Sequence, residues 1–133
     1  MTLFIFSQSL LDSVDSSELS GGITNNIYIF LNNLNININI NNLHNLIRKL
    51  AHFSEFFLLG LFWGIYYHLE KAIKTPNIFT IIQGIITASL DEFIQKFIPG
   101  RSGQLTDVLI DTSGVIFAVL IIYIIKKINK RKD

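Results

Sequence analysis

The chain reads IFTIIQGIITASLDEFIQKF over residues 78–97, IPGRSGQ over 98–104 and LTDVLIDTSGVIFAVLIIYII over 105–125. Each outer run is about as long as the 20 or so apolar residues that take an α-helix across a bilayer. Between them Pro99-Gly100 cannot continue a helix, so the two runs form an antiparallel hairpin. Polar groups collect around that turn: Asp91, Glu92, Gln95 and Lys96 in the last third of the first run, Arg101 in the turn, Asp107 and Asp111 in the second run. Charges inside such runs are expensive and require partners or a function.

The rest of the composition points the same way. Of 133 residues 50% are hydrophobic and 16% charged, and the mean hydropathy is +0.44, which excludes a disordered chain and points to a small polytopic membrane protein with the lipid bilayer as its partner. Cysteine is absent, so disulfides, thiolate metal sites and cysteine nucleophiles are excluded. Lys126, Lys127, Lys130, Arg131 and Lys132 follow the last run and mark a cytoplasmic end. No aromatic residues are interleaved with these cations, so no nucleic-acid partner is expected.

Upstream, AHFSEFFLLGLFWGIYYHL over 51–69 reads as another span, with Trp63, Tyr66 and Tyr67 in an aromatic belt. Asn41 or Asn42 can cap a helix running into it. The link 70–77, with Lys71 and Lys74, is expected on the cytoplasmic side. Alternation of Ile36, Ile38 and Ile40 with asparagine is a strand signal, but so simple a composition favours a loop. Ile23, Ile27, Phe30, Leu31 and Leu34 recur at helical spacing, as in an amphipathic helix on a membrane surface, with Ser16, Ser17 or Ser20 as its N-cap. Residues 1–11 hold too short an apolar run to cross a bilayer and look like the tail of a span begun upstream. The expected fold is all-α: an integral membrane helical bundle with three evident transmembrane helices plus a truncated or missing first one. Residues 1–47 would hold that first span, the interfacial helix and the Asn/Ile-rich loop; 48–125 the membrane domain; 126–133 a basic cytoplasmic tail.

With the C-terminus inside, alternate spans place the 99–104 turn outside and bring His52 and Glu55 to the same depth as Asp91, Glu92, Gln95, Asp107 and Asp111. His52 and Glu55 share one helix face, as do Asp91 and Gln95, while Glu92 points about a hundred degrees away. Arg101 can cap the carboxylates in bidentate fashion. Three readings are open. The first is a structural network in which Arg101, Lys96 and His52 pair with the carboxylates. The second is a site for a phosphate, sugar or other polar headgroup built from Arg101, Lys96 and the amides of the turn and the following helix N-terminus. The third is catalysis through His52 and a carboxylate. His52, Glu55, Asp91 and Glu92 are suitable ligand types for a hard or borderline cation, but the set has a single histidine and no HExxH or paired ExxH spacing, so no metal or other cofactor is assigned. Ser89 lacks a nucleophile-elbow context. His44 and His68 read as interfacial, and Gly60, Gly64 and Gly84 as packing positions.

These residues carry a family resemblance. Lys49-Leu50-Ala51-His52-Phe53-Ser54-Glu55-Phe56, then Asp91-Glu92-Phe93-Ile94-Gln95-Lys96-Phe97-Ile98-Pro99-Gly100-Arg101, then Asp107 resemble the VanZ-like family of bacterial membrane proteins. The resemblance implies a four-helix integral membrane protein, and some members lower susceptibility to glycopeptide antibiotics such as teicoplanin. The family's polar pattern falls on Lys49, His52, Glu55, Asp91, Glu92, Gln95, Arg101 and Asp107, the expected binding residues. Two features depart from it: only Phe4-Ile5-Phe6-Ser7 stands for the end of a first span, and position 111, often Asn, is Asp here. The functional expectation is a polar site at the extracytoplasmic face that binds a lipid-linked cell-wall precursor or an anionic headgroup and modulates glycopeptide action. A membrane hydrolase or transferase acting on an isoprenoid or phospholipid headgroup is the alternative, and a purely structural protein the second.

Overall fold

The computed structural model describes Thr2, Ile5 and residues 13–70, 72–98 and 103–131, with side chains from residue 21 onward and at Thr2 and Ile5. The described residues form four helices: α1 (Ser13–Asn33), α2 (Ile40–Leu69), α3 (Pro76–Gln95) and α4 (Leu105–Asn129). Strands are absent among the described residues: residues 36–39 of the Ile/Asn segment are loop, as its composition suggests, and Ile40 already opens α2.

Local chemistry sets the helix ends. After α1 the chain turns at Asn35, whose φ of 58° is a left-handed conformation that asparagine tolerates, and the Ile36 amide donates back to the Leu31 carbonyl at 3.0 Å. Helix α2 is capped by Asn39, whose side chain accepts from the Asn41 amide at 2.9 Å. The expected caps, Asn41 and Asn42, lie instead inside the first turn, because the helix starts one residue before them. Pro76 opens α3, where its missing N–H costs nothing.

Helix α4 packs most extensively on α2, α3 packs against both, and α1 lies against α2. The core consists of Phe56 and Leu59 from α2, Ala88 from α3 and Val115 from α4, joined by Ile5. Small residues let the backbones approach, as expected where lipid offers no hydrophobic drive between helices. A Cβ on Gly60 would stand 2.9 Å from the Ala118 Cβ, and one on Gly114 2.5 Å from the Phe53 carbonyl oxygen. At the other end of α2, Trp63 and Tyr67 stack with ring centroids 5.3 Å apart.

Helices α3 and α4 are long and apolar enough to cross a membrane. Helix α2 has 30 residues, about 45 Å of rise, but His52, Ser54, Glu55 and His68 dilute its apolar half, and it does not meet the same standard of apolarity. The expectation of three evident spans thus narrows to two by this measure. Only a third of each qualifying segment is buried; Phe62, Leu109, Leu120 and Ile124 are among many large apolar side chains facing outward. An apolar surface this extensive is rare on monomeric soluble proteins.

Candidate functional site

The polar residues converge where α3 ends and α4 begins, alongside the first half of the apolar part of α2. Asp91, Glu92, Gln95, Asp107 and Asp111 are all buried, and His52 and Glu55 are half-buried. On α3, Asp91 and Gln95 are one turn apart, and the Gln95 Nε2 donates to Asp91 Oδ2 at 2.8 Å. Glu92, rotated about a hundred degrees, turns toward the start of α4, where its Oε2 accepts from the Gln104 amide at 2.6 Å. That bond ties the end of α3 to the N-cap of α4, and Gly103 permits it: a Cβ there would collide with the Glu92 carbonyl.

Two rungs join α2 and α4. Arg48 Nη2 lies 3.7 Å from Asp107 Oδ2, and one turn further along both helices His52 Nδ1 lies 3.9 Å from Asp111 Oδ1. Equal four-residue steps in the same direction mean that α2 and α4 run parallel, with α3 antiparallel between them. Asp111 is fully buried, and neither of its carboxylate oxygens has a hydrogen-bond partner among the described residues. Asp91, Glu92, Asp107 and Glu55 all act on it electrostatically. His52, Asp91 and Asp111 each offer one ligand atom, and these atoms lie within 4.8 Å of one another.

A family model for VanZ/LLP1 matches residues 1–126. The chain belongs to the VanZ/LLP1 family. Neither the curated proteins nor the solved structures provide a significant match.

In this VanZ/LLP1 chain the motif residues largely converge. His52, Glu55, Asp91, Glu92, Gln95 and Asp107 come to one end of the bundle; Lys49 is exposed, and its neighbour Arg48 supplies the cation that reaches Asp107. Arg101, with the rest of the turn at 99–102, lies outside the described residues. Lys96 is exposed and forms no ion pair among the described residues. Two participants, Arg48 and Asp111, are absent from the expected set of binding residues. Their signal was the helical repeat: Arg48 precedes His52 by one turn, and Asp111 follows Asp107 by one turn.

The start of α4 is already served by acids. Glu92 takes the Gln104 amide and Asp107 lies in the first turn, where the helix dipole favours negative charge. An external anion at those amides would therefore compete with two built-in carboxylates. Beside them a cavity of about 170 Å³ is lined by Ser89, Phe93, Lys96, Leu105 and Val108 as well as Glu92, setting one cation and one carboxylate against an apolar wall.

Proposed function

We propose that this VanZ/LLP1 chain is a multi-pass protein of the cell membrane with its C-terminus in the cytoplasm. Its polar site opens at the extracytoplasmic face, binds a lipid-linked or cell-wall component, and by doing so lowers susceptibility to glycopeptides of the teicoplanin kind. The observation that carries this reading is the separation of charge along the bundle. The buried carboxylates and His52 gather at the start of α4, whereas Lys126, Lys127, Lys130 and Arg131 crowd its far end, the pattern of a helix whose cationic end stays inside. The cavity between Lys96 and the apolar side chains of Phe93, Leu105 and Val108 suits the junction of an anionic headgroup with an acyl or isoprenoid chain. The glycopeptide link rests on the family.

The test is teicoplanin susceptibility of a host expressing the wild type, Asp91→Ala, Glu92→Ala or Arg101→Ala, with membrane protein levels measured in parallel. The variants are expected to accumulate yet lose the protective effect. Unchanged protection in all three would sink the site, and a fall in protein level in step with protection would favour a purely structural network. A membrane hydrolase or transferase is the second reading, favoured by His52 against Asp111 at 3.9 Å. It requires turnover of an isoprenoid or phospholipid by purified protein, lost in His52→Ala.

A further inference from the structure

Asp111 is the least explained group in the bundle. It is fully buried, no hydrogen bond from the described residues reaches either carboxylate oxygen, and the carboxylates of Asp91, Glu92, Asp107 and Glu55 all bear on it. The basic side chain paired with it is that of His52, whose Nδ1 is 3.9 Å away, too long for a hydrogen bond. To stay ionised, a buried carboxylate in such company needs a compensating positive charge at close range. Among the described residues at this end, the Arg48 guanidinium is aimed one turn away at Asp107, and Lys49 and Lys96 are exposed.

We propose that His52, Asp91 and Asp111 bind a divalent cation of borderline hardness, of the Mn²⁺ or Zn²⁺ type. The three donors come from three helices, α2, α3 and α4, and their ligand atoms lie within 4.8 Å of one another. Ions of this kind hold nitrogen and oxygen ligands at about 2.0–2.2 Å, so neighbouring donors around them stand roughly 3–3.5 Å apart. The most widely separated donors therefore need to close by roughly 1.3–1.8 Å, a displacement that side-chain rotation can supply. One imidazole with two carboxylates selects against purely oxygen-seeking Ca²⁺ and Mg²⁺ and against thiol-seeking metals.

The surroundings also fit a metal centre. Gln95 Nε2 holds Asp91 Oδ2 at 2.8 Å, the kind of outer hydrogen bond that orients metal-binding carboxylates. Glu92 Oε1 is buried without a hydrogen bond among the described residues, and its carboxyl group acts electrostatically on Asp111. A bound dication places positive charge beside Asp111 and joins three helices that have little hydrophobic reason to associate in lipid. The proposal is independent of the lipid and antibiotic reading above, because it is measured with neither present.

The experiment is Mn²⁺ titration of the purified, chelator-treated full chain in detergent micelles, followed by loss of the free-ion electron paramagnetic resonance signal. The expected result is one equivalent bound and displaced by Zn²⁺, with affinity at least tenfold weaker in Asp111→Asn and unchanged in Glu70→Gln, at the exposed opposite end of α2. Absence of stoichiometric binding to folded wild type, or wild-type affinity in Asp111→Asn, overturns the proposal. A readout independent of that variant is the imidazole nitrogen resonances of the three histidines in wild-type protein. Zn²⁺ is expected to shift His52 and to leave His44 and His68 in place; an unmoved His52 also overturns it.

Discussion

Replacing Gly114 by alanine would insert a methyl group into the tightest part of the α2–α4 seam. Built on the existing backbone, the new carbon stands 2.5 Å from the Phe53 carbonyl oxygen and 3.0 Å from the Phe57 amide nitrogen. A carbon rests against a carbonyl oxygen at about 3.3 Å, so the shortfall is roughly 0.8 Å. Both obstructing atoms belong to helix backbone, and no rotamer change relieves them; the helices must part. A gap of 0.5–1 Å removes a quarter to a half of each contact's attraction along a seam that includes Gly60 against Val115 and Ala118. Overpacking of this kind costs about 1–3 kcal/mol, and the absence of a yielding side chain puts Gly114→Ala near the top of that range. Alanine's better helix propensity returns about 1 kcal/mol, leaving a net loss of about 2 kcal/mol. Thermal unfolding in mild detergent, followed by circular dichroism, should show a midpoint lower by roughly 5–10 °C. Gly22→Ala serves as the sign control: nothing lies within 4 Å of its new carbon, so only the propensity gain of up to about 1 kcal/mol remains and its midpoint should rise. Equal stability of Gly114→Ala and wild type, or a shift of both variants in the same direction, would refute close packing of α2 on α4.

Arg48→Gln breaks a 3.7 Å pair whose arginine side chain is 43% exposed and whose aspartate is buried. The expected loss in the same unfolding assay is about 1 kcal/mol, the upper end for a solvated pair; a loss above about 3 kcal/mol would mean that the pair is desolvated as a unit. Topology is tested with reporter fusions: one after Asp133 should read cytoplasmic and one inserted near Ser102 extracytoplasmic. The reverse pattern would remove the basis for an outward-facing site.

Much of the fold was legible in local chemistry. Pro76 starts α3, Pro99-Gly100 bars its continuation, and the apolar runs between such signals are the helices observed. Once the helices alternate in direction, residues 52–55, 91–95 and 107–111 must come to the same end of the bundle, whatever the details of packing. The cap of α2 was less legible. Asparagines at 37, 39, 41 and 42 have nearly the same capping chemistry, and the observed choice of Asn39 depends on where the loop from α1 releases the chain.

The sequence by itself thus determined the helices and the common depth of the polar groups, the feature on which the family resemblance also rests. Only the tertiary structure decided who pairs with whom. Helix α4 is apolar almost all round after Asp111, so no amphipathic stripe sets its rotation about its own axis. Its packing against Gly60 and Gly84 sets that rotation instead. The rotation takes Asp107 to Arg48, brings Asp111 into a fully buried position facing His52, and leaves Lys49, a member of the motif, exposed. Depth follows from counting residues along a helix, whereas direction around its axis is set by its neighbours.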